Sequence, residues 1–321
     1  MNKIVIDCKN VSFKYKTYKK SLGFKGEFLD FFKRETEYVP ALKSFDLRIA
    51  KGEIVGLLGA NGAGKTTLIK ILSGVIPSNS GSVMVLGYNP YEKKARFLHK
   101  IGVLFGQKSQ LIWDLPAVDT FSMLKEIYQI PTTEFHERLN YLATELDISE
   151  VINRPVRNLS LGQRTKCELV CSLITKPEIV FLDEPTLGID IISQMKIYAL
   201  LKKFNETSNM TILLTSHNTK DIETLAKRVV IINKGIKRFD DSLKKLMTNF
   251  SNRYFLEVTT DKEIDNEILE GITKLGQMDY LVDAKKFPTL PFDTKHILKV
   301  QRKDSSLDQI LERIFLNKES D

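Results

Sequence analysis

The stretch Gly59-Ala60-Asn61-Gly62-Ala63-Gly64-Lys65-Thr66-Thr67 has the residue types and spacing needed to hold a run of phosphates. It fits the pattern GxxxxGK[ST]. Its glycines let the backbone curl so that successive N–H groups point at phosphate oxygens. Lys65 would reach the β- and γ-phosphates, and the Thr66 hydroxyl would ligate Mg²⁺.

Such a loop works only between a strand and a helix. Residues 53–58 form a short apolar run that reads as a buried strand, and Leu68 to Leu72 has the apolar spacing of a helix start. The helix N-terminus would add partial positive charge beside the phosphates. Further buried strands are read at 101–105, 178–184 and 210–215, the second ending in Asp183-Glu184 and the third running into Ser216-His217. Alternating strands are read at 3–7, 11–15, 41–49 and 82–87, and a hairpin over 229–239. From about 111 to 157 the periods are helical, which suggests a small helical subdomain. Beyond about Thr248 the charge balance turns negative. There, strands at 254–259 and 296–300, helical spacing over Ile264, Ile268, Ile272 and Leu275, and a last helix opened by Asp304-Ser305 suggest a small α+β domain.

The chain has 321 residues, room for one large domain and a smaller one. Hydrophobic content of 42% and charged content of 27% are ordinary for a soluble globular protein. No apolar run approaches the ~18 residues of a membrane span, and Met1 to Asp7 lacks a signal peptide's apolar core. The three cysteines make no disulfide framework; Cys167 and Cys171 read as reduced packing residues one helical turn apart. The expectation is a cytosolic chain whose membrane work falls to a partner. The net charge of +8 raises nucleic acid as a partner, but no basic block or aromatic-interleaved basic stripe stands out, and none is expected. The segment 16–40 is unusual in mixing lysines with Phe24, Phe28 and Phe31 at helical spacing. Three readings stand: an amphipathic helix over 21–34 with a basic rim, an inserted hairpin that buries its phenylalanines, or, less favoured, surface disorder.

Around the phosphate loop the remaining motifs fall in a fixed order, and together they resemble the nucleotide-binding cassette of ABC transporters over about residues 3–248. Asp183-Glu184 looks like the Walker B pair: Asp183 would hold Mg²⁺ opposite Thr66, and Glu184 would polarise the attacking water. Leu159-Ser160-Leu161-Gly162-Gln163 resembles the family signature LSGGQ, departing from it at Leu161. Its helix N-terminus would offer Ser160 and backbone N–H groups to the γ-phosphate held by another subunit. Gln107 is similar to the family's Mg²⁺-binding, water-orienting glutamine, with Asp119 following at the family's distance. His217 matches the switch histidine that contacts the γ-phosphate, Asp190 the residue that couples two sites across a dimer, and Tyr15 the aromatic that stacks on adenine.

The resemblance implies an α/β P-loop NTPase cassette, a mixed-sheet core with a helical subdomain at about 111–160, over residues 1–248. A small C-terminal α+β domain follows at 249–321. It implies ATP and Mg²⁺ as ligands, ATP hydrolysis as activity, a head-to-tail homodimer, and integral permease subunits on the cytoplasmic face of a membrane. The segments 106–116 and 155–164 resemble ATPase subunits of drug and polysaccharide exporters of the daunorubicin and viologen kind. Trp113 is either a permease contact or a core residue. The competing class is a soluble cassette ATPase acting on ribosomes or DNA; most of those carry two cassettes, and this chain has one. In a third reading the C-terminal domain binds a ligand that gates the cassette.

Overall fold

The computed structural model describes residues 3–18, 36–106, 109–216, 218–250, 254–264, 272–284, 287, 289–291, 293–304 and 306–316. The chain divides into two compact units, Met1–Asp240 and Asp241–Asp321.

In the first unit, β1 (Ile4–Tyr18) and β2 (Thr36–Ala50) form a long antiparallel ribbon whose pairing runs out to Tyr18 opposite Thr36. The helix read over 21–34 lies wholly outside the described residues. β3 (Ile54–Leu58) leads into the phosphate loop, and α1 (Lys65–Leu72) leaves it. There follow β4 (Ser80–Val85), the short α2 (Ala95–Leu98), β5 (Ile101–Phe105), α3 (Ala117–Ile127) and α4 (Thr132–Glu145). Next come α5 (Leu161–Leu173), β6 (Ile179–Asp183), α6 (Ile191–Ser208), β7 (Thr211–Thr215), α7 (Thr219–Leu225), β8 (Arg228–Asn233) and β9 (Ile236–Ser242).

The larger sheet has the order β5-β6-β7-β3-β8-β9, and its first five strands run parallel. Every residue of β6 and β7 is buried, as the unbroken apolar runs of strands covered on both faces require. The smaller sheet, β2-β1-β4, is antiparallel. One core joins the two sheets, built from Ile6, Phe45 and Leu47 of the ribbon, Leu68 and Leu72 of α1, and Leu57 and Phe181 of the parallel strands. Parallel order brings the C-terminal ends of β3, β6 and β7 to one edge, where ligand sites of open α/β sheets lie.

The second unit contains α8 (Leu243–Phe250), β10 (Tyr254–Thr260), β11 (Thr273–Lys274), β12 (Asp279–Asp283), β13 (Ile297–Asp304) and α9 (Leu307–Leu316). Its strands make a four-stranded antiparallel sheet, β11-β12-β10-β13, over a core of Val258, Tyr280 and Val282. This corrects two expectations. The spacing read as a helix ends in the strand β11, which pairs with a strand, β12, that the sequence pattern does not announce. The last helix is opened by Ser306, not Asp304-Ser305: its hydroxyl accepts from the Gln309 N–H at 3.3 Å, while the Gln309 side chain accepts from the Ser306 N–H at 3.1 Å.

Candidate functional site

The phosphate loop owes its shape to two close approaches that exclude a side chain. Gly64, at the N-cap of α1, has φ 114°, and a Cβ there would lie 2.5 Å from the Ala41 carbonyl oxygen. A Cβ on Gly59 would lie 2.5 Å from the Ile232 carbonyl oxygen. The loop is thus pressed between β2 and the end of β8, with glycine where contact is closest.

Lys65 is buried, and its ammonium curls back over the loop to donate to the carbonyls of Gly59 at 2.6 Å and Ala60 at 3.2 Å. Burial pulls its pKa down, and the charges of Glu184 and Asp183 pull it back up. The Thr66 hydroxyl donates to one oxygen of Asp183 at 2.8 Å, and the Thr215 hydroxyl donates to the other at 2.6 Å. Strand ends from β6 and β7 and the first turn of α1 therefore meet at one carboxylate. Glu184, the next residue, turns out of β6 with φ 59°, and its N–H donates to the Thr215 hydroxyl at 3.1 Å. A non-glycine residue in the left-handed region at a strand end is a strained, functional kind of position.

These groups open onto a cavity of about 730 Å³ that reaches from Phe105, Asp183 and Glu184, past Asn61 to Thr67, to Tyr15, Val39 and Pro40 on the ribbon. The volume suits a nucleotide. Tyr15 is 39% exposed, stands edge-on to Phe13, and its hydroxyl shares a 3.1 Å hydrogen bond with the Thr67 hydroxyl. Thr66 and Asp183 offer two hard oxygens at one point, the donor chemistry Mg²⁺ takes. Among the described residues no group of three His, Cys, Asp or Glu forms a metal site of its own, so such an ion would draw its other ligands from phosphate and water.

The signature stretch lies at the start of α5. Ser160 is its N-cap in a complete capping box: Gln163 N–H donates to the Ser160 hydroxyl at 3.2 Å, and Ser160 N–H to the Gln163 side chain at 3.0 Å. Leu161 is 48% exposed and lies against Gly188, where a Cβ would come 2.2 Å from the leucine. Nothing lies within 4 Å of a Cβ built on Gly162, so the backbone there faces open space. Asp190 caps α6 by accepting from Ser193 N–H at 2.9 Å, and those hydrogen bonds hold its carboxyl below the usual range. Gln107 and His217 lie outside the described residues.

Trp113 is 54% exposed, which removes the core reading; the Arg164 guanidinium sits 5.6 Å from its ring centre. Spacing alone marks neither Thr215 nor Glu168. Thr215 carries a hydroxyl at the end of a buried strand, which is a signal in itself. Glu168, buried on α5, accepts from the Ser109 hydroxyl and from the N–H groups of Gln110 at 3.0 Å and Leu111 at 3.4 Å. It thereby ties the segment after Gln107 to the signature helix.

Residues 42–187 match the family described as ABC transporter. The ABC transporter ATP-binding protein NatA of Bacillus subtilis is 30% identical over 215 residues, 67% of this chain and 87% of that protein. Daunorubicin resistance ATP-binding protein DrrA3 of Streptomyces coeruleorubidus is 31% identical over 61% of each chain. ABC transporter A family member 8 of Dictyostelium discoideum is 32% identical over 75% of this chain, which spans only 29% of that longer protein. Among solved structures, a dimeric post-hydrolysis ATP-binding cassette bound to ADP and Pi is 25% identical with a TM-score of 0.62, covering 74% of this chain and 98% of that one.

Proposed function

The chain belongs to the family of ABC transporter ATP-binding proteins, an ATP-hydrolysing cassette, and from that premise we propose that it powers a separate membrane permease that exports its cargo. The observation that carries the catalytic part is the set Lys65, Thr66, Asp183, Thr215 and Glu184 at one edge of a nucleotide-sized cavity.

Bound ATP lays its phosphates along Asn61 to Thr67, where Lys65 exchanges its loop carbonyls for β- and γ-phosphate oxygens. Tyr15 stacks on the base, which selects little among nucleotides. Thr66, Asp183 and Gln107 would hold Mg²⁺, which when bound would neutralise charge developing on the phosphates. Glu184 accepts a proton from the water that attacks the γ-phosphorus as the bond to the ADP oxygen breaks. His217 and Gln107 orient that water and phosphate.

Ser160, Leu161, Gly162 and Gln163 complete the site of a second copy, and Asp190 couples the two. ATP draws the pair together through charge-assisted hydrogen bonds worth ~1.5–3 kcal/mol each, and hydrolysis releases it. The dimeric cassette among the solved structures supports this arrangement. The cargo in this reading is a drug, lipid or polysaccharide, and the daunorubicin resistance protein among the relatives favours a drug. No described helix is long and apolar enough to cross a membrane. In this reading the permease docks beside the exposed Trp113, on the cytoplasmic face of the membrane.

The test is steady-state ATPase activity of Glu184→Gln, which should fall by about 10²-fold or more as the water loses its base. Unchanged activity would remove Glu184 from the mechanism.

A further inference from the structure

Asp221, in the first turn of α7, is wholly buried, and no ion pair to it is present among the described residues. A buried carboxylate is costly unless hydrogen bonds meet it. Here three hydroxyls do so: Tyr198 donates to one oxygen, and Thr186 and Ser216 both donate to the other, Ser216 at 2.7 Å. The three donors come from three places. Tyr198 is on α6; Thr186 is two residues past Glu184; Ser216 follows Thr215. Ser216 also accepts from the Asn218 N–H at 2.9 Å, and Asn218 caps α7 by accepting from Lys220 N–H at 3.1 Å. Burial and the Asp221 charge raise the Tyr198 phenol well above its ordinary value, so it stays protonated and able to donate.

The two loops that Asp221 joins are those that flank Glu184. One carries Glu184 out of β6; the other offers Thr215, whose hydroxyl receives the Glu184 N–H and reaches Asp183. Glu184 sits in a left-handed conformation that its surroundings must over-determine. We propose that Asp221 is a positioning residue for hydrolysis: by gripping Thr186 and Ser216 it fixes the separation of the loops after β6 and β7, and so the place of the Glu184 carboxylate. Neither Asp221 nor any of its three hydroxyl partners lines the cavity, so it sets the rate of the chemical step and not nucleotide affinity. This rests on Glu184 being the catalytic base.

The test is kcat and KM for ATP, with binding of a fluorescent ATP analogue, in the full chain and in Asp221→Ala, Asp221→Asn and Ser216→Ala. Displacing a catalytic group by an ångström costs about 10²-fold, so Asp221→Ala should lose kcat on that order while KM and analogue affinity stay within about twofold. Asp221→Asn should recover most of the rate, because its amide oxygen still accepts from Thr186 and Ser216 while its NH₂ donates to the Tyr198 oxygen. Ser216→Ala, a smaller change that serves if Asp221→Ala does not fold, should lower kcat several-fold at constant KM. Wild-type kcat in Asp221→Ala, or parallel loss of kcat and analogue binding in both alanine variants, would overturn the proposal. So would an Asp221→Asn variant as slow as Asp221→Ala. A Glu184→Gln variant with full activity would instead remove the catalytic reading on which it rests.

Discussion

Lys65 donates to two of the loop's own carbonyls, a pairing that phosphate oxygens would replace. Removing it deletes charge-assisted hydrogen bonds of ~1.5–3 kcal/mol each, so Lys65→Ala should bind ATP about tenfold or more weakly. An unaltered titration isotherm would contradict the phosphate-loop reading. The cysteines make a second residue-scale prediction. All three are buried; burial raises the Cys8 and Cys167 thiols to about 12 and Cys171 upward as well. The reactive form is the thiolate, so at pH 8 the native chain should resist alkylation that goes to completion once the chain is unfolded. Rapid labelling of the native chain would show that these sites open. At this scale the sequence reading reached Lys65, Thr66, Asp183 and Glu184, because each sits at a fixed distance from a strand end or a glycine. It did not reach Thr215, Asp221 or Tyr198, whose meeting depends on β6 and β7 lying side by side with α6 crossing between them.

Helix α5 and the loop before α1 are where element-scale chemistry is concentrated. Ser160→Ala removes the N-cap of the signature helix and should cost about 0.5–2 kcal/mol, read from the urea midpoint. Gly64→Ala forces a Cβ toward the Ala41 carbonyl at a positive φ and should destabilise by about 1–3 kcal/mol, with loss of ATP binding. A Gly64→Ala chain as stable as the parent would mean the loop has another way to fold. The continuous apolar strands around the site were legible because parallel, doubly covered strands carry no ambiguity of face. The second unit was less so. Ile264, Ile268, Ile272 and Leu275 fit a helical period, yet the chain at Thr273–Lys274 pairs with β12. A two-residue strand is decided by its partner, not by its own pattern.

For the whole molecule, the proposed function makes the cavity one half of a site and the start of α5 the other half of a partner's site. Ser160 to Gln163 present a capped helix N-terminus to open space beside Gly162, while Lys65, Thr66 and Glu184 line the cavity. The proposed assembly closes each cavity with the partner's signature, so slowing hydrolysis should trap the closed pair. The most direct measurement is sedimentation of Glu184→Gln with and without ATP and Mg²⁺. The account predicts a monomer without nucleotide and a dimer with it, reverting to monomer when Ser160→Arg is added. A species whose mass ignores ATP, or a dimer that survives Ser160→Arg, would contradict it.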